Sequence, residues 1–357
     1  MSAPQTYDRL PTAAPGGGFL ITDEQAISEQ RGVVWELIKQ LGKTITDGGS
    51  LTSIAMPVNI SEARSYLERL CDGWCYAPFF LTKASNEVDP IERLKWVVTF
   101  AISGLSNTCA PKKPFNPILG ETFEATYDDG TQVFCEQSSH HPPITNWEMI
   151  GPGNNYHFYG HGEWSASFRG NSVRGRQLGA HIIEFPDGGK IEYHLPDVWV
   201  RGVMLGDRIV EYDGEIIFKD AKNNLSARLQ FNPDSGGWFW SAKVPTDHFR
   251  GGIYKNADGN ADPKQLACPL TGTWMGCVDF NGKKYWSHKD NLPVFVPTPV
   301  EEPLPSDCRY REDIIYLKTQ DLAAAADWKK RLEEKQRAEA RLRTAYAKKM
   351  GFEPREH

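Results

Sequence analysis

The chain is 357 residues long, enough for one large β-rich domain or two ordinary ones. Hydrophobic residues at 40% and charged residues at 24% exclude wholesale disorder, and a net charge of -6 argues against a general nucleic-acid binder. Residues 1–18 hold no basic segment followed by an apolar run, so no secretory signal is expected, and no stretch reaches the roughly 18 apolar residues of a membrane-spanning helix. Seven cysteines, spread from Cys71 to Cys308 without framework spacing, read as the reduced thiols of a cytoplasmic protein. Cys71 and Cys75 have no second pair and no histidine cluster beside them, so neither a metal site nor a cofactor is assigned.

Residues 1–18, rich in Pro, Gly, Ala and Thr, read as a flexible tail. Thr22 or Asp23 then caps a helix in which Ile27, Val34, Leu37, Ile38 and Leu41 recur at helical intervals, with Gly42 as a stop. Its apolar face either packs on the core or forms a lid that meets a ligand or membrane. Further helices are expected at 61–70, with Ser61 as cap, and at 90–105. From 120 to 286 the pattern changes to short alternating runs. Asp129-Gly130 separates 121–127 from 132–136, Asp187-Gly188-Gly189 separates 181–185 from 190–195, and Asn281-Gly282 separates 274–280 from 283–286. Such dipeptides supply the positive φ of two-residue hairpins, so the strands pair antiparallel in a meander, and a long meander tends to close. The proline-rich stretch 293–305 ends the sheet, and 307–349 is helical. The class expected is β-rich α+β, a large antiparallel and incomplete β-barrel with helices before and after it.

Two segments stand apart. Lys112-Lys113-Pro114-Phe115-Asn116-Pro117-Ile118-Leu119-Gly120-Glu121 leads into the strands, and Glu136-Gln137-Ser138-Ser139-His140-His141-Pro142-Pro143 lies among them. The prolines hold the preceding backbone extended. Within a strand the two histidines point to opposite faces, whereas at a strand end they can converge on one anion. Lys113 adds a point charge and Asn116 an amide that reads hydroxyls. The residues alone leave three other readings open: two core histidines satisfied by backbone, half of a metal site, or a catalytic base. No ligand-spaced Asp, Glu or Cys supports the second and no Gly-x-Ser-x-Gly run supports the third. Late in the chain, Lys329, Glu333 and Arg337 fall at i, i+4 and i+8 on one helical stripe, which an ion-pair ladder also explains.

The histidine segment resembles the Glu-Gln-Val-Ser-His-His-Pro-Pro signature of oxysterol-binding-protein-related proteins, with Ser138 in place of the valine. The lysine segment resembles the same family's Lys-Pro-Phe/Leu-Asn-Pro-Ile/Phe-Leu-Gly-Glu block, at the expected distance upstream. Residues 51–62 are similar to the segment that follows the lid in relatives, with Ala63 where a proline is often seen. The likeness runs from about 34 to 354. It implies one lipid-binding domain over 19–357, divided into a lid region (19–50), N-terminal helices (51–110), a barrel (111–292) and a C-terminal helical region (293–357).

By that resemblance the barrel encloses a lipid tunnel and the chain is a carrier rather than an enzyme. Lys113, Asn116, His140, His141, Lys329, Glu333 and Arg337 are implied as the set for the phosphatidylinositol 4-phosphate headgroup. Val34, Leu37, Leu41, Leu51, Ile54, Met56, Val58 and Ile60 are candidates for the lid and tunnel. A second lipid, sterol first and phosphatidylserine as the alternative, binds exclusively with the phosphoinositide. The two are exchanged between membranes at contact sites by a monomer that touches each membrane peripherally and transiently. A lipid-regulated sensor with little net transport has the same sequence. An enzyme acting on a lipid or phosphoester lacks a visible nucleophile or metal set.

Overall fold

Alternating side chains and glycine-bearing turns set the architecture. The computed structural model describes residues 7–41, 51, 54, 56–233 and 244–352. In chain order the early strands are β1 (Phe19–Ile21), β2 (Ser61–Ser65), β3 (Lys113–Phe115), β4 (Thr122–Thr126), β5 (Gln132–His140) and β6 (Pro143–Ile150). Next come β7 (His157–Phe168), β8 (Ser172–Leu178), β9 (His181–Glu184), β10 (Lys190–Tyr193), β11 (Asp197–Arg201) and β12 (Arg208–Asp220). The last are β13 (Leu225–Phe231), β14 (His248–Tyr254), β15 (Leu266–Thr273), β16 (Cys277–Phe280), β17 (Lys283–Ser287) and β18 (Thr298–Pro299). β2 and β3 form a parallel pair, and the other strands make one 16-stranded antiparallel sheet.

The three predicted turn dipeptides close the β4–β5, β9–β10 and β16–β17 hairpins, with Gly130, Gly188 and Gly282 at φ of 88, 78 and 82°. Between β7 and β12 the sheet runs by two routes, through β9–β10 and through β8–β11. β17 and β18 end the sheet, and no ladder joins them among the described residues, so the barrel is incomplete. Alternate residues such as Val133 and Cys135, Trp147 and Met149, Ile216 and Phe218, and Ala227, Leu229 and Phe231 point inward and are buried.

Among the described residues six α-helices accompany the sheet: α1 (Glu24–Leu41), α2 (Tyr66–Gly73), α3 (Ala77–Asn86), α4 (Pro90–Ser103), α5 (Glu312–Lys318) and α6 (Leu322–Met350). The Asp23 side chain caps α1, accepting from the Ala26 N–H at 2.9 Å. Asp89 caps α4 and Asp321 caps α6 in the same way. Leu67, Cys71, Phe80, Leu81, Leu94, Val97 and Val98 bury the inner faces of α2 to α4 in the main core.

Several expectations change. The helix placed at 61–70 starts at Tyr66, because residues 61–65 pair with β3 and Ser65, rather than Ser61, provides the cap. α3, around Phe79-Phe80, was not anticipated; its run is apolar without clear periodicity. Residues 307–349 hold two helices, broken at Gln320, whose φ is 62°. The tail reading also fails over residues 7–18. The Leu10 N–H donates to the Met275 carbonyl at 2.7 Å, Arg9 pairs with buried Asp247 at 2.8 Å, and Ala14 is buried. Gly42 lies outside the described residues.

α2 and α4 meet end to end through two glycines. A Cβ on Gly104 would lie 2.0 Å from the Gly73 carbonyl oxygen, whereas one on Gly32, in α1, would meet nothing within 4 Å. Gly104→Ala should therefore lower unfolding stability by about 1–3 kcal/mol, the usual cost of overpacking. Gly32→Ala should leave the denaturation midpoint unchanged or slightly raised. Equal midpoints for the two variants in guanidinium unfolding would refute the close approach.

Candidate functional site

The histidine segment ends β5 and turns into β6. Ser138 is the extra residue of a β-bulge, exposed on the outer face, where its hydroxyl accepts from Asn146 Nδ2 at 2.5 Å. A polar residue in the valine position is therefore accommodated. Gln137 and Ser139 are buried and build the turn: Gln137 Nε2 donates to the Ser139 carbonyl at 2.6 Å and Ser139 Oγ to the Pro142 carbonyl at 2.7 Å. His140 is the last residue of β5 and His141 starts the turn. Their rings lie 4.4 Å apart between centroids, nearly perpendicular, so at this strand end the pair converges.

Glu121, which closes the lysine segment, is buried. It accepts from the Ser65 hydroxyl, from the Ile118 N–H at 2.9 Å and from Arg311 Nη1 at 2.9 Å. Arg311 donates also to the Asn116 carbonyl at 2.8 Å and to Asp313 at 2.6 Å. Burial disfavours its charge, but the two carboxylates outweigh this and hold the guanidinium pKa above its ordinary value.

On this frame sits a cavity of about 180 Å³ lined by Lys113, Asn116, His140, His141, Lys329, Glu333 and Arg337. All seven residues of the implied headgroup set thus meet at one place. Lys113 Nζ donates to Asn116 Oδ1 at 2.8 Å, and Lys329 pairs with Glu333. Arg337 has no carboxylate partner among the described residues, so the cavity keeps a positive excess. Burial, helped by Lys329 and Arg311, pushes the Lys113 pKa down to about 8. Burial and the neighbouring His141 push His140 down to about 4 against the pull of Glu333, so in the empty cavity it is neutral at pH 7.

Sequence reasoning missed Arg311, Ser61, Gln336 and Arg343, which line the same cavity. Gln336 Nε2 is a buried donor without a partner among the described residues. Gln336 lies three residues after Glu333 and Arg343 seven after Gln336, so both extend the Lys329–Glu333–Arg337 face, a signal the sequence carried. Arg311 and Ser61 reach the site only through the fold.

A larger cavity of about 490 Å³ adjoins the first, and Met56 and Lys113 line both. It lies against the forked part of the sheet, with walls from His181 and Tyr193 on one route and Val173, Gln177, Val198 and Val200 on the other. α1 contributes Val33, Val34 and Leu37; Leu51 and Ile60 complete that side. Ile54 lines the smaller cavity and packs with Val34 and Leu37 on Phe168 and Val203. Val58 lines neither: it is buried with Phe115, Ile314, Leu317 and Ala325 beneath the α5–α6 pair, so its assignment to the tunnel is withdrawn. The Leu41 side chain lies outside the described residues.

α1 is fastened over this cavity by polar contacts. Glu29 pairs with Lys112 at 3.3 Å, Gln30 donates to the Pro111 carbonyl and accepts from Arg208, and Arg31 donates to the Gly206 carbonyl. Inside, Tyr66 and Trp164 satisfy each other, as do Thr108 and Tyr212 at 2.8 Å. Gln177 Nε2 and His181 Nδ1 are buried without partners among the described residues. Burial pushes the His181 pKa down to about 3, which keeps the ring neutral.

The sequence profile described as Oxysterol-binding protein matches residues 36–303 and 295–356. The chain belongs to the oxysterol-binding protein family. It is 40% identical over 333 residues to Oxysterol-binding protein 9 of Dictyostelium discoideum, covering 90% of this chain and 78% of that protein. It is 30% identical over 320 residues to human Oxysterol-binding protein-related protein 6, covering 82% of this chain but only 33% of that longer protein. Among solved structures it resembles the Osh3 ORD of Saccharomyces cerevisiae in complex with PI(4)P, with a TM-score of 0.64 and 23% identity, covering 89% of this chain and 84% of that one. The Osh1 ORD with cholesterol gives a TM-score of 0.70 at 23% identity, covering 98% and 86%. At such identities these likenesses establish the tunnel-bearing fold. No helix among the described residues is long and apolar enough to cross a membrane.

A phosphate bound beside Lys113 favours its charged form and raises its pKa from about 8. Binding is then linked to a proton that the empty site loses as pH rises through that value. Affinity for a soluble inositol phosphate should fall about tenfold between pH 7 and 9 in titration calorimetry. Lys113→Arg, always charged, should flatten the profile. An affinity that stays constant over this range in the unaltered protein would remove Lys113 from the site.

Proposed function

We propose that this chain is a lipid-transfer protein. It binds phosphatidylinositol 4-phosphate with the headgroup in the smaller cavity and the acyl chains in the larger one. The observation that carries the reading is the meeting of Lys113, Asn116, His140, His141, Lys329, Glu333 and Arg337 at a positive cavity that shares Met56 and Lys113 with a larger, mostly apolar one. Arg337 and Lys329 suit phosphate oxygens and Glu333 suits ring hydroxyls. His140, uncharged in the empty cavity, becomes a charged donor once an anion lies beside it, and His141 adds a second imidazole to the same wall. The Osh3 relative, bound to PI(4)P, supports the same assignment.

A sterol is the second cargo in this reading and occupies the larger cavity in place of the phosphoinositide. Its single hydroxyl matches Gln177 and His181, whose Nε2 and Nδ1 are buried on the wall of that cavity without partners among the described residues. Relatives bound to ergosterol and cholesterol lend support. Phosphatidylserine is the second reading. It is favoured by Arg208, which lines the same cavity with only neutral acceptors: Gln30 Oε1 and the Gly202 and Val203 carbonyls. Exchange of the two lipids places the protein peripherally on the membranes it serves.

His140→Ala/His141→Ala should reduce extraction of phosphatidylinositol 4-phosphate from liposomes at least tenfold, since two charge-assisted hydrogen bonds contribute roughly 1.5–3 kcal/mol each. Gln177→Leu should weaken sterol binding and spare the phosphoinositide. Acceptor liposomes with sterol, with phosphatidylserine or with neither name the second cargo by which one accelerates phosphoinositide movement. Extraction of no phosphoinositide by the unaltered protein would sink the reading, and extraction without acceleration would leave a sensor.

A further inference from the structure

α6 changes character along its length. Up to Glu339 its charges are paired, apart from Arg337 in the headgroup cavity: Asp327 with Arg331, Lys329 with Glu333, Lys330 with Glu334 and Lys335 with Glu339. Between Glu339 and the helix stop at Gly351 there is no carboxylate, while Arg341, Arg343, Lys348 and Lys349 have no ion-pair partner among the described residues. Over the same stretch Leu342, Tyr346 and Met350 follow one another at i, i+4 and i+8 and are 70, 62 and 51% exposed. Phe352, just past the stop, is 63% exposed. Four large apolar side chains thus form an uncovered stripe flanked by uncompensated cations.

We propose that residues 341–352 dock the protein on anionic bilayers, with Leu342, Tyr346, Met350 and Phe352 entering the interface and Arg341, Lys348 and Lys349 reaching lipid phosphates. This rests on the lipid-carrier reading and adds the surface through which the carrier meets its membrane. A bilayer supplies both partners the stripe lacks: an apolar layer under the side chains and negative charge beside the cations, whose stems lie along the apolar surface. A second copy is the poorer occupant, since it would bring unpaired cations against unpaired cations. The position fits the task. Arg337, Ala340 and Arg343 of the same helix line the headgroup cavity, so a helix lying on the membrane holds that cavity at headgroup level.

The test uses the full chain with phosphatidylcholine vesicles, with and without phosphatidylserine. Hydrogen exchange across 341–352 should slow on anionic vesicles and not on neutral ones. Arg341→Gln/Lys348→Gln/Lys349→Gln should lower flotation with anionic vesicles on the order of a hundredfold, at roughly 1 kcal/mol for each basic residue near the surface, and, separately, Leu342→Ser/Tyr346→Ser/Met350→Ser should lower it at least about tenfold. Both variants should bind a soluble inositol phosphate as the parent does, because none of these side chains lines the cavity. Unchanged exchange on anionic vesicles, or variants that float like the parent, would overturn the proposal. So would a dimer in sedimentation velocity that the serine variant abolishes, which would assign the stripe to self-association. Slowed exchange in a protein that extracts no phosphoinositide would support the docking surface while removing the carrier reading.

Discussion

Glu121 and Arg311 stand 190 positions apart in the chain and 2.9 Å apart in space, both buried. Through Glu121 the pair fixes the Ser65 hydroxyl at the end of β2 and the Ile118 N–H of the loop after β3; its backbone carbonyl takes the Gln137 N–H at 2.9 Å. Through Arg311 the pair reaches the Asn116 carbonyl and Asp313, in the first turn of α5, which hands the chain on to α6. The lysine segment, the end of β5 and the start of α5, which together place most of the headgroup cavity, are therefore tied to one another. Its net contribution to stability is small, because desolvating the ions offsets most of their attraction. Breaking it is another matter, since a lone buried charge costs about 3–5 kcal/mol. The network specifies where three distant segments sit relative to one another.

Position matters because the two cavities need each other. A lipid crossing water exposes apolar surface at about 25 cal/mol per Å², so the larger cavity and its roof provide most of the driving force for uptake, without selecting one lipid from another. On the proposed reading, selection would come from the polar groups: the cations and amides of the smaller cavity, and Gln177 with His181 in the larger. Met56 and Lys113 stand where the cavities join. On the same reading, two lipids that both use the larger cavity would compete for one volume.

Three hairpins were legible because Asp-Gly and Asn-Gly dipeptides are local signals that act through φ alone, whereas the fork between β7 and β12 departs from the simple meander expected. The convergence of His140 and His141 was legible in outline, since the prolines after them force a strand end. The Lys329–Glu333–Arg337 stripe was legible from helical spacing. What the sequence hid were tertiary facts. Residues 7–18 look like a tail by composition, yet Arg9 finds a buried Asp247 and Leu10 a free carbonyl at Met275. Val58 and Met56 are two positions apart with the same apolar character; the backbone turns between them, and only Met56 faces the cavities. Arg311 resembles any other arginine until Glu121 and Asp313 are placed beside it.

The charge state of the empty site has a consequence for turnover. Of the groups around the smaller cavity, Lys329 is already paired, Arg311 is neutralised twice over, His140 is uncharged at neutral pH and Lys113 is held near the edge of ionisation. A cavity with all of these cations free and dry would repel itself when empty and hold a phosphate tightly when full. Here part of the attraction appears only as the ligand arrives, when His140 takes up a proton and Lys113 keeps its own. The His140 proton leaves when the headgroup does, which lowers the barrier to release. For a carrier this is an advantage, because affinity is set mostly through the rate of departure and cargo must depart at the acceptor membrane. On this view the pairing of Lys329 with Glu333, which a simple phosphate trap would omit, limits how strongly the site can hold what it carries.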